Sequence, residues 1–320
     1  MARNALNHTI LESKNLKIFT VTAVLFISFI FLINPVFAAD PGTAPSQYSK
    51  AMIPASNLVY PLYDAVGDSQ TELSITNTGD QEVIVKLNFV VSEGGSCVVA
   101  DFYITLTPHQ VFLINEDSTP GIIDETNGFL SAYAVDAIGS STPINYNYLV
   151  GSARIIVIDE ASYYGEYNAF GFRAIAPTGS LSLIYDDVNF EKAPRTIAAP
   201  VLTSSNDYNT EMLVLISLDT TSLGTVFGLR YDDNEASTSF SLSGNCQLLE
   251  EITPSSPQVP SGRTGWMKLY KINDDKPMLG LILHYNTVYV SKGRFQYGIY
   301  PLWALTYTNG AYTPIFGGPP

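Results

Sequence analysis

The sequence predicts an all-β protein built as two tandem antiparallel sandwiches behind an export leader. Three observations carry this. The chain is rich in β-branched and aromatic residues, with 20 Tyr and 16 Phe, while charged side chains make up only 14% of it. That composition suits half-buried pleated surface. Short alternating runs recur between Gly, Asn, Asp and Pro turns, and nothing beyond the leader holds a helical period. A series of anchors from the first half also returns in the same order in the second.

The leader comes first. Arg3, Lys14 and Lys17 form a basic start, and Ile18 to Ile33 is an apolar run of 16 residues. Asn34-Pro35 ends any helix, because proline has no amide donor and clashes with the preceding turn. Val36-Phe37-Ala38 then places small residues where a signal peptidase needs them. Residues 1–38 therefore read as a signal peptide, with the mature chain starting at Ala39. The rival is an uncleaved anchor, which needs about 20 apolar residues to span a bilayer as a helix. No cysteine near the site offers a lipid anchor. Contact with a membrane is thus expected only through the leader before cleavage, and the location is secreted, periplasmic or cell-surface.

The remaining 282 residues of 320 suffice for two domains. Losing Arg3, Lys14, Lys17 and Glu12 takes the net charge from −14 to −16. Such a chain has no basic footprint for phosphate backbones, so nucleic acid is excluded as a partner. Only His109 and His284 survive cleavage, which excludes a site of three or four histidines on one metal. No cofactor is expected.

Strands are predicted at Thr71–Thr76, Glu82–Val91, Val98–Leu106, Gly128–Val135 and Tyr146–Ile158. Asn77-Thr-Gly-Asp80 and Glu93-Gly-Gly-Ser96 supply turns, with Gly free to take positive φ. The anchors then pair Thr71-Glu72-Leu73 with Thr210-Glu211-Met212 and Gly-Gly-Ser-Cys97 with Ser-Gly-Asn-Cys246. They pair Leu106-Thr107-Pro108 with Ile252-Thr253-Pro254, Gly128-Phe129-Leu130 with Gly265-Trp266-Met267, and Tyr146-Asn147 with Tyr285-Asn286. The aromatic run Tyr164–Phe172 matches Phe295–Trp303. The offsets stay between 137 and 149 for the first five. An internal duplication follows, giving Ig-like or jelly-roll-like sandwiches over 47–176 and 193–308. Leu181–Asp186 is an edge-strand candidate between them, and 309–320 reads as a flexible tail.

Cys97 and Cys246 are the only cysteines. An even pair in an oxidising compartment invites a disulfide, and two buried thiols are the alternative. Asp186-Asp187, Asp232-Asp233-Asn234-Glu235 and Asp274-Asp275 offer oxygens for calcium, but none fits an EF-hand loop and turn chemistry accounts for them. Tyr163, Tyr164, Tyr167, Tyr285 and Tyr289 are the candidates for stacking on sugar rings, since tyrosine offers an apolar face with a polar handle. Phe129 and Trp266 read as matched core residues. Catalytic patterns are absent: no G-x-S-x-G, no H-E-x-x-H and no phosphate loop. Glu72 and Glu211, at matched anchors, are the one carboxylate pair in reach of a glycosidase reading. The sequence thus predicts a non-enzymatic structural or adhesive protein of the envelope or extracellular space, with glycans or other envelope proteins as partners. A carbohydrate-binding protein is the alternative, and a glycoside hydrolase the more distant one.

Overall fold

The computed structural model describes residues 50–51, 53–67, 69–93, 96–115, 126–157, 163–204, 209–218, 222–252, 259–271, 277–285, 297–308 and 311–314. The predicted leader, Asp274-Asp275 and Tyr289 lie outside them. No helix occurs among the described residues; every element is a strand. In the first half these are β1 (Lys50–Ala51), β2 (Asn57–Asp64), β3 (Ser69–Asn77), β4 (Val83–Glu93), β5 (Ser96–Leu106), β6 (Val111–Ile114), β7 (Asn127–Val135), β8 (Leu149–Val157), β9 (Tyr163–Asn168) and β10 (Phe170–Phe172). The second half contributes β11 (Thr196–Thr203), β12 (Asn209–Ser217), β13 (Gly224–Asp232), β14 (Ser237–Gly244), β15 (Gln247–Glu251), β16 (Thr264–Lys271), β17 (Met278–Tyr285), β18 (Tyr297–Pro301), β19 (Trp303–Thr308) and β20 (Ala311–Pro314).

They form four antiparallel sheets, and each sheet draws its strands from one half of the chain. The N-terminal half makes a large sheet, ordered β1-β10-β2-β7-β4-β5, and a small one, β6-β3-β8-β9. The C-terminal half makes a large sheet, β14-β13-β16-β11-β19-β20, and a small one, β15-β12-β17-β18. Counting nine strands onward from β2 through β10 reproduces the order of both sheets. β10-β2-β7-β4-β5 becomes β19-β11-β16-β13-β14, and β6-β3-β8-β9 becomes β15-β12-β17-β18.

Local features recur with the order. Pairing of β2 with β7 shifts register between Tyr60 and Tyr63, and pairing of β11 with β16 shifts between Ala199 and Leu202. Thr71 Oγ1 accepts the Asp64 amide at 2.8 Å, and Thr210 Oγ1 accepts the Thr203 amide at 2.9 Å. Gly128 and Gly265 are both pressed against a neighbouring strand. A Cβ at the first would strike the Val90 carbonyl, and at the second the Tyr231 carbonyl.

Three of the six sequence anchors fall on corresponding strands: Thr71 with Thr210, Gly128 with Gly265, and the β9–β10 run with β18–β19. The other three do not. Cys97 is the second residue of β5, whereas Cys246 lies in the turn between β14 and β15. Leu106 ends β5, but Ile252 follows β15; Tyr146 precedes β8, but Tyr285 ends β17. Dipeptide likeness misled there because turns of similar composition sit at different joints of the two halves.

The sequence explains the elements directly. On β3, Ser69, Thr71, Leu73, Ile75 and Asn77 are buried and the residues between them are not, as a one-sided strand requires. β4 and β5 form an unbroken ladder from Val83 paired with Leu106 to Glu93 paired with Ser96. β2 is buried along nearly its whole length and has Pro61 at its register shift, where a missing amide costs no ladder bond. Leu181–Asp186 is not a strand but part of an irregular segment. Within the predicted tail, Ala311–Pro314 is a strand paired with β19.

The two central strands of the C-terminal small sheet, β12 and β17, are buried on both faces. On β12, Leu213 and Leu215 pack with Ile197, Ala199, Met267 and Leu269 of the C-terminal large sheet. The alternate residues Val214 and Ile216, with Leu279, Leu281 and Leu283 of β17, belong to one core with Leu58, Tyr60 and Leu62 of the N-terminal half. β2 touches β12 and β17, and β9 touches β18.

Candidate functional site

The outer face of the C-terminal large sheet presents the exposed tryptophans. Side chains directly opposite each other across a ladder share a face. Ser237, Tyr231 and Trp266 form one such row. Ser239, Leu229, Lys268, Ala198 and Trp303 form the next, and Ser241, Phe227, Tyr270 and Thr196 a third. Trp266 is 36% exposed and Trp303 40%. The expectation that Trp266 is a core residue is therefore corrected: on β16 it is Met267 and Leu269 that turn inward. Both parities of this strand are apolar, so alternation could not say which face meets water.

The rings on this face are held in place. Tyr231 and Trp266 stack with centroids 4.7 Å apart and planes 12° from parallel. Phe227 and Tyr270 lie at 5.3 Å with a 59° tilt. The Lys268 ammonium sits 5.5 Å from the Tyr270 ring centre, and burial lowers its pKa from the ordinary lysine value. Lys268 is the one charged residue in the three rows.

Four of the predicted tyrosines lie on β9 and β17. Tyr163, Tyr164 and Tyr167 are on β9, with Tyr163 opposite Val157 and Tyr164 opposite Ile156. Tyr167 is 4% exposed, and its hydroxyl bonds the backbone of Leu62, donating to the carbonyl oxygen and accepting from the amide at 3.1 Å. It is a core residue with no face open to a sugar, and burial raises its pKa. Tyr285 ends β17, opposite Tyr297.

A second polar cluster lies on the outer face of the N-terminal large sheet. Lys86 donates to Asp101 at 2.8 Å and to Ser141 Oγ at 3.2 Å. Asn57 donates to the Tyr185 hydroxyl at 2.7 Å and accepts from Ser131 at 3.1 Å. Burial pushes the Tyr185 hydroxyl well above its ordinary pKa, against the pull of Asn57 and Ser131. Every group named here is engaged, and the cluster reads as the seam that fastens the irregular segment around Tyr185 to the sheet.

Cys97 and Cys246 are joined in a disulfide, with Cα atoms 5.7 Å apart. Beside it, the Gln247 side-chain amide donates to the carbonyls of Pro61 at 2.7 Å and Gly128 at 2.9 Å. These contacts run from the C-terminal half to the N-terminal half.

Glu72 meets a base among the described residues. Glu72 and Glu166 flank Arg154 in one row of the N-terminal small sheet, at 3.6 Å and 3.0 Å. Glu211 falls at the register shift on β12. Asp186 accepts the amides of Val188 and Asn189. These bonds hold it below the usual carboxylate range although its burial works the other way. Asp232 caps the β13–β14 turn through the amides of Asn234 and Ala236, and Asp233 pairs with Arg263 at 2.8 Å. Among the described residues no three His, Cys, Asp or Glu side chains are placed to hold a metal ion.

His109 sits in the β5–β6 turn with φ of 58°, 3.1 Å from Asp80. His284 has a partner that spacing did not reveal: the β12–β17 register sets Thr210 opposite it, with Thr210 Oγ1 3.0 Å from Nδ1. Thr210 is fully buried and His284 is 3% exposed, so the pair is closed to substrate. Burial lowers the histidine pKa from 6.5 to about 4. The unfolded chain therefore takes up a proton that the folded one refuses. Stability is full above pH 6.5 and falls as pH drops toward 4, by about 3 kcal/mol in all. Urea unfolding of the native chain and of His284→Gln across this window checks it. The native curve is expected to lose that stability, and the variant to lack this component of the acid loss.

No protein-family profile matches the chain, and no curated protein does. Among solved structures, the crystal structure of Thermotoga maritima 1070 is similar at 14% identity and a TM-score of 0.29, over 37% of this chain and 94% of that one.

Proposed function

We propose that the protein is an exported, non-enzymatic structural or adhesive protein of the cell envelope or extracellular space. It consists of two tandem antiparallel sandwiches that arose by internal duplication and are cross-linked to each other. The observation that carries this reading is the Cys97–Cys246 disulfide, which ties the halves together across 149 residues. Such a bond persists in oxidising compartments and suits a chain whose work is to keep its shape outside the cell. Recurrence of strand order and of the register shift supports the duplication. The order of basic, apolar and small residues in 1–38 supports export. The partners that suit it are glycans or other envelope proteins.

The carbohydrate-binding reading draws on the exposed tryptophan face and is compatible with adhesion. A glycoside hydrolase is disfavoured by Glu72, whose carboxylate faces an arginine and not a second acid.

Fractionation of producing cells with intact-mass measurement under non-reducing conditions tests the proposal. The expected species lies in the envelope or medium, begins at Ala39 or Asp40, and lacks two hydrogens relative to the dithiol. A cytosolic species retaining Met1 and two free thiols would overturn it.

A further inference from the structure

We propose that the outer face of the C-terminal large sheet binds an uncharged polysaccharide chain, with Trp266 and Trp303 as its stacking anchors. This names the partner of the adhesive reading and rests on it.

The argument begins with where the tryptophans are. The chain has two, and both stand exposed on this one face. Their counterparts in the other half are aromatic as well, but sealed. Trp266 corresponds to Phe129, each following the pressed glycine and opposite β13 or β4. Trp303 corresponds to Phe170, each opening the strand beside β11 or β2. Phe129 is 1% exposed and Phe170 5%. The same two places are thus buried phenylalanines in one half and water-facing tryptophans in the other. A large aromatic left in water contributes little to folding, and a cluster of them on one face marks a contact surface.

Geometry then selects the ligand. Trp303 lies two strands and two residues from Trp266, so their Cα atoms are about 12 Å apart at ordinary strand spacing and rise. That is wider than one sugar ring, and a linked chain can reach both. Tyr231 braces the Trp266 indole, so little rotamer freedom remains to be lost on binding. Ser237, Ser239 and Ser241 line the edge of the same face and are exposed, offering hydroxyls to a hydroxyl-rich ligand. No carboxylate stands in the three rows, although the chain carries a net charge of −14. Nucleic acid bases also stack on such rings, but a polyanion would meet one lysine here and an acidic molecule behind it.

Affinity electrophoresis of the mature chain tests this, in native gels containing hydroxyethylcellulose, xylan or galactomannan, with alginate as the anionic comparison. At least one neutral gel is expected to retard the chain. Trp303→Ala and Trp266→Ala should each weaken that retardation about tenfold or more. Trp303→Phe should keep part of it, and Tyr148→Ala, on the other half, all of it. Near-ultraviolet circular dichroism confirms that the variants are folded. Passage through every gel without retardation overturns the proposal, as does retardation in alginate alone or retardation indifferent to both substitutions. A dimer by light scattering that falls apart on replacing either tryptophan assigns the face to a second copy and overturns it too. Should it fail while the exported, disulfide-bonded species is found, the structural reading stands without its glycan.

Discussion

Phe129→Ala is expected to cost about 3–5 kcal/mol of stability, the toll of emptying a large buried aromatic site. Phe129 is on β7, opposite Val90 of β4. It follows directly on Gly128, whose carbonyl takes the Gln247 amide. The surrounding backbone cannot collapse into the void, because Gly128 is already pressed against the Val90 carbonyl. The matched substitution Trp266→Ala should cost only about 1 kcal/mol, since the indole is partly in water and loses chiefly its stack on Tyr231. Guanidinium unfolding of the two variants, followed by far-ultraviolet circular dichroism, checks the contrast. Equal losses would mean that both residues are core and that the outer face of the C-terminal large sheet is covered.

Opening the disulfide should cost about 4–5 kcal/mol, because the bond closes a loop of roughly 150 residues in the unfolded chain. The double substitution Cys97→Ser with Cys246→Ser is the cleaner test, since it leaves no thiol to re-form the bond. Cys246 is fully buried, so part of the loss will come from packing. Unfolding of the native chain with and without a strong reductant separates the two, because reduction leaves the sulfurs in place. A loss under about 1 kcal/mol on reduction would mean that the halves hold together by Gln247 and apolar contact alone.

The strands that could be read from the sequence are those with alternation or with clear turn residues at their ends. On β3, β4, β5 and β7, polar and apolar residues alternate or turn glycines mark the ends, and the predicted bounds fall within a few residues of the observed ones. β2 escaped because it is apolar on both faces and carries a proline. β14, with the sequence STSFSLSG, escaped because its hydroxyl-rich face gives little hydrophobic signal. The tryptophan face was hidden for the same reason as the core of β16. In TGWMKLYK each parity includes apolar residues, so only the neighbouring strands decide which side is covered. Tyr167 illustrates the reverse. It lies in a tyrosine-dense run that looks like surface, yet its hydroxyl finds the Leu62 backbone and the ring is sealed. The bond between His284 and Thr210 depends on a register that no local pattern encodes.

The double burial of β12 and β17 bears on how such a molecule can be engineered. Sandwich modules are commonly portable: each can be cut out, fused elsewhere or multiplied. Here the C-terminal half has one of its sheets dressed on both sides in aliphatic residues along β12 and β17, and the outward set, Val214, Ile216, Leu279, Leu281 and Leu283, is clothed by the N-terminal half. Excised, it would bare a greasy strip where a free-standing module needs polar cover. The small sheet of the N-terminal half already wears Glu72, Ser74, Ser152 and Arg154 outward. Any re-engineering of this molecule has to treat the two halves as a pair, since one keeps the solvent coat and the other gives it up.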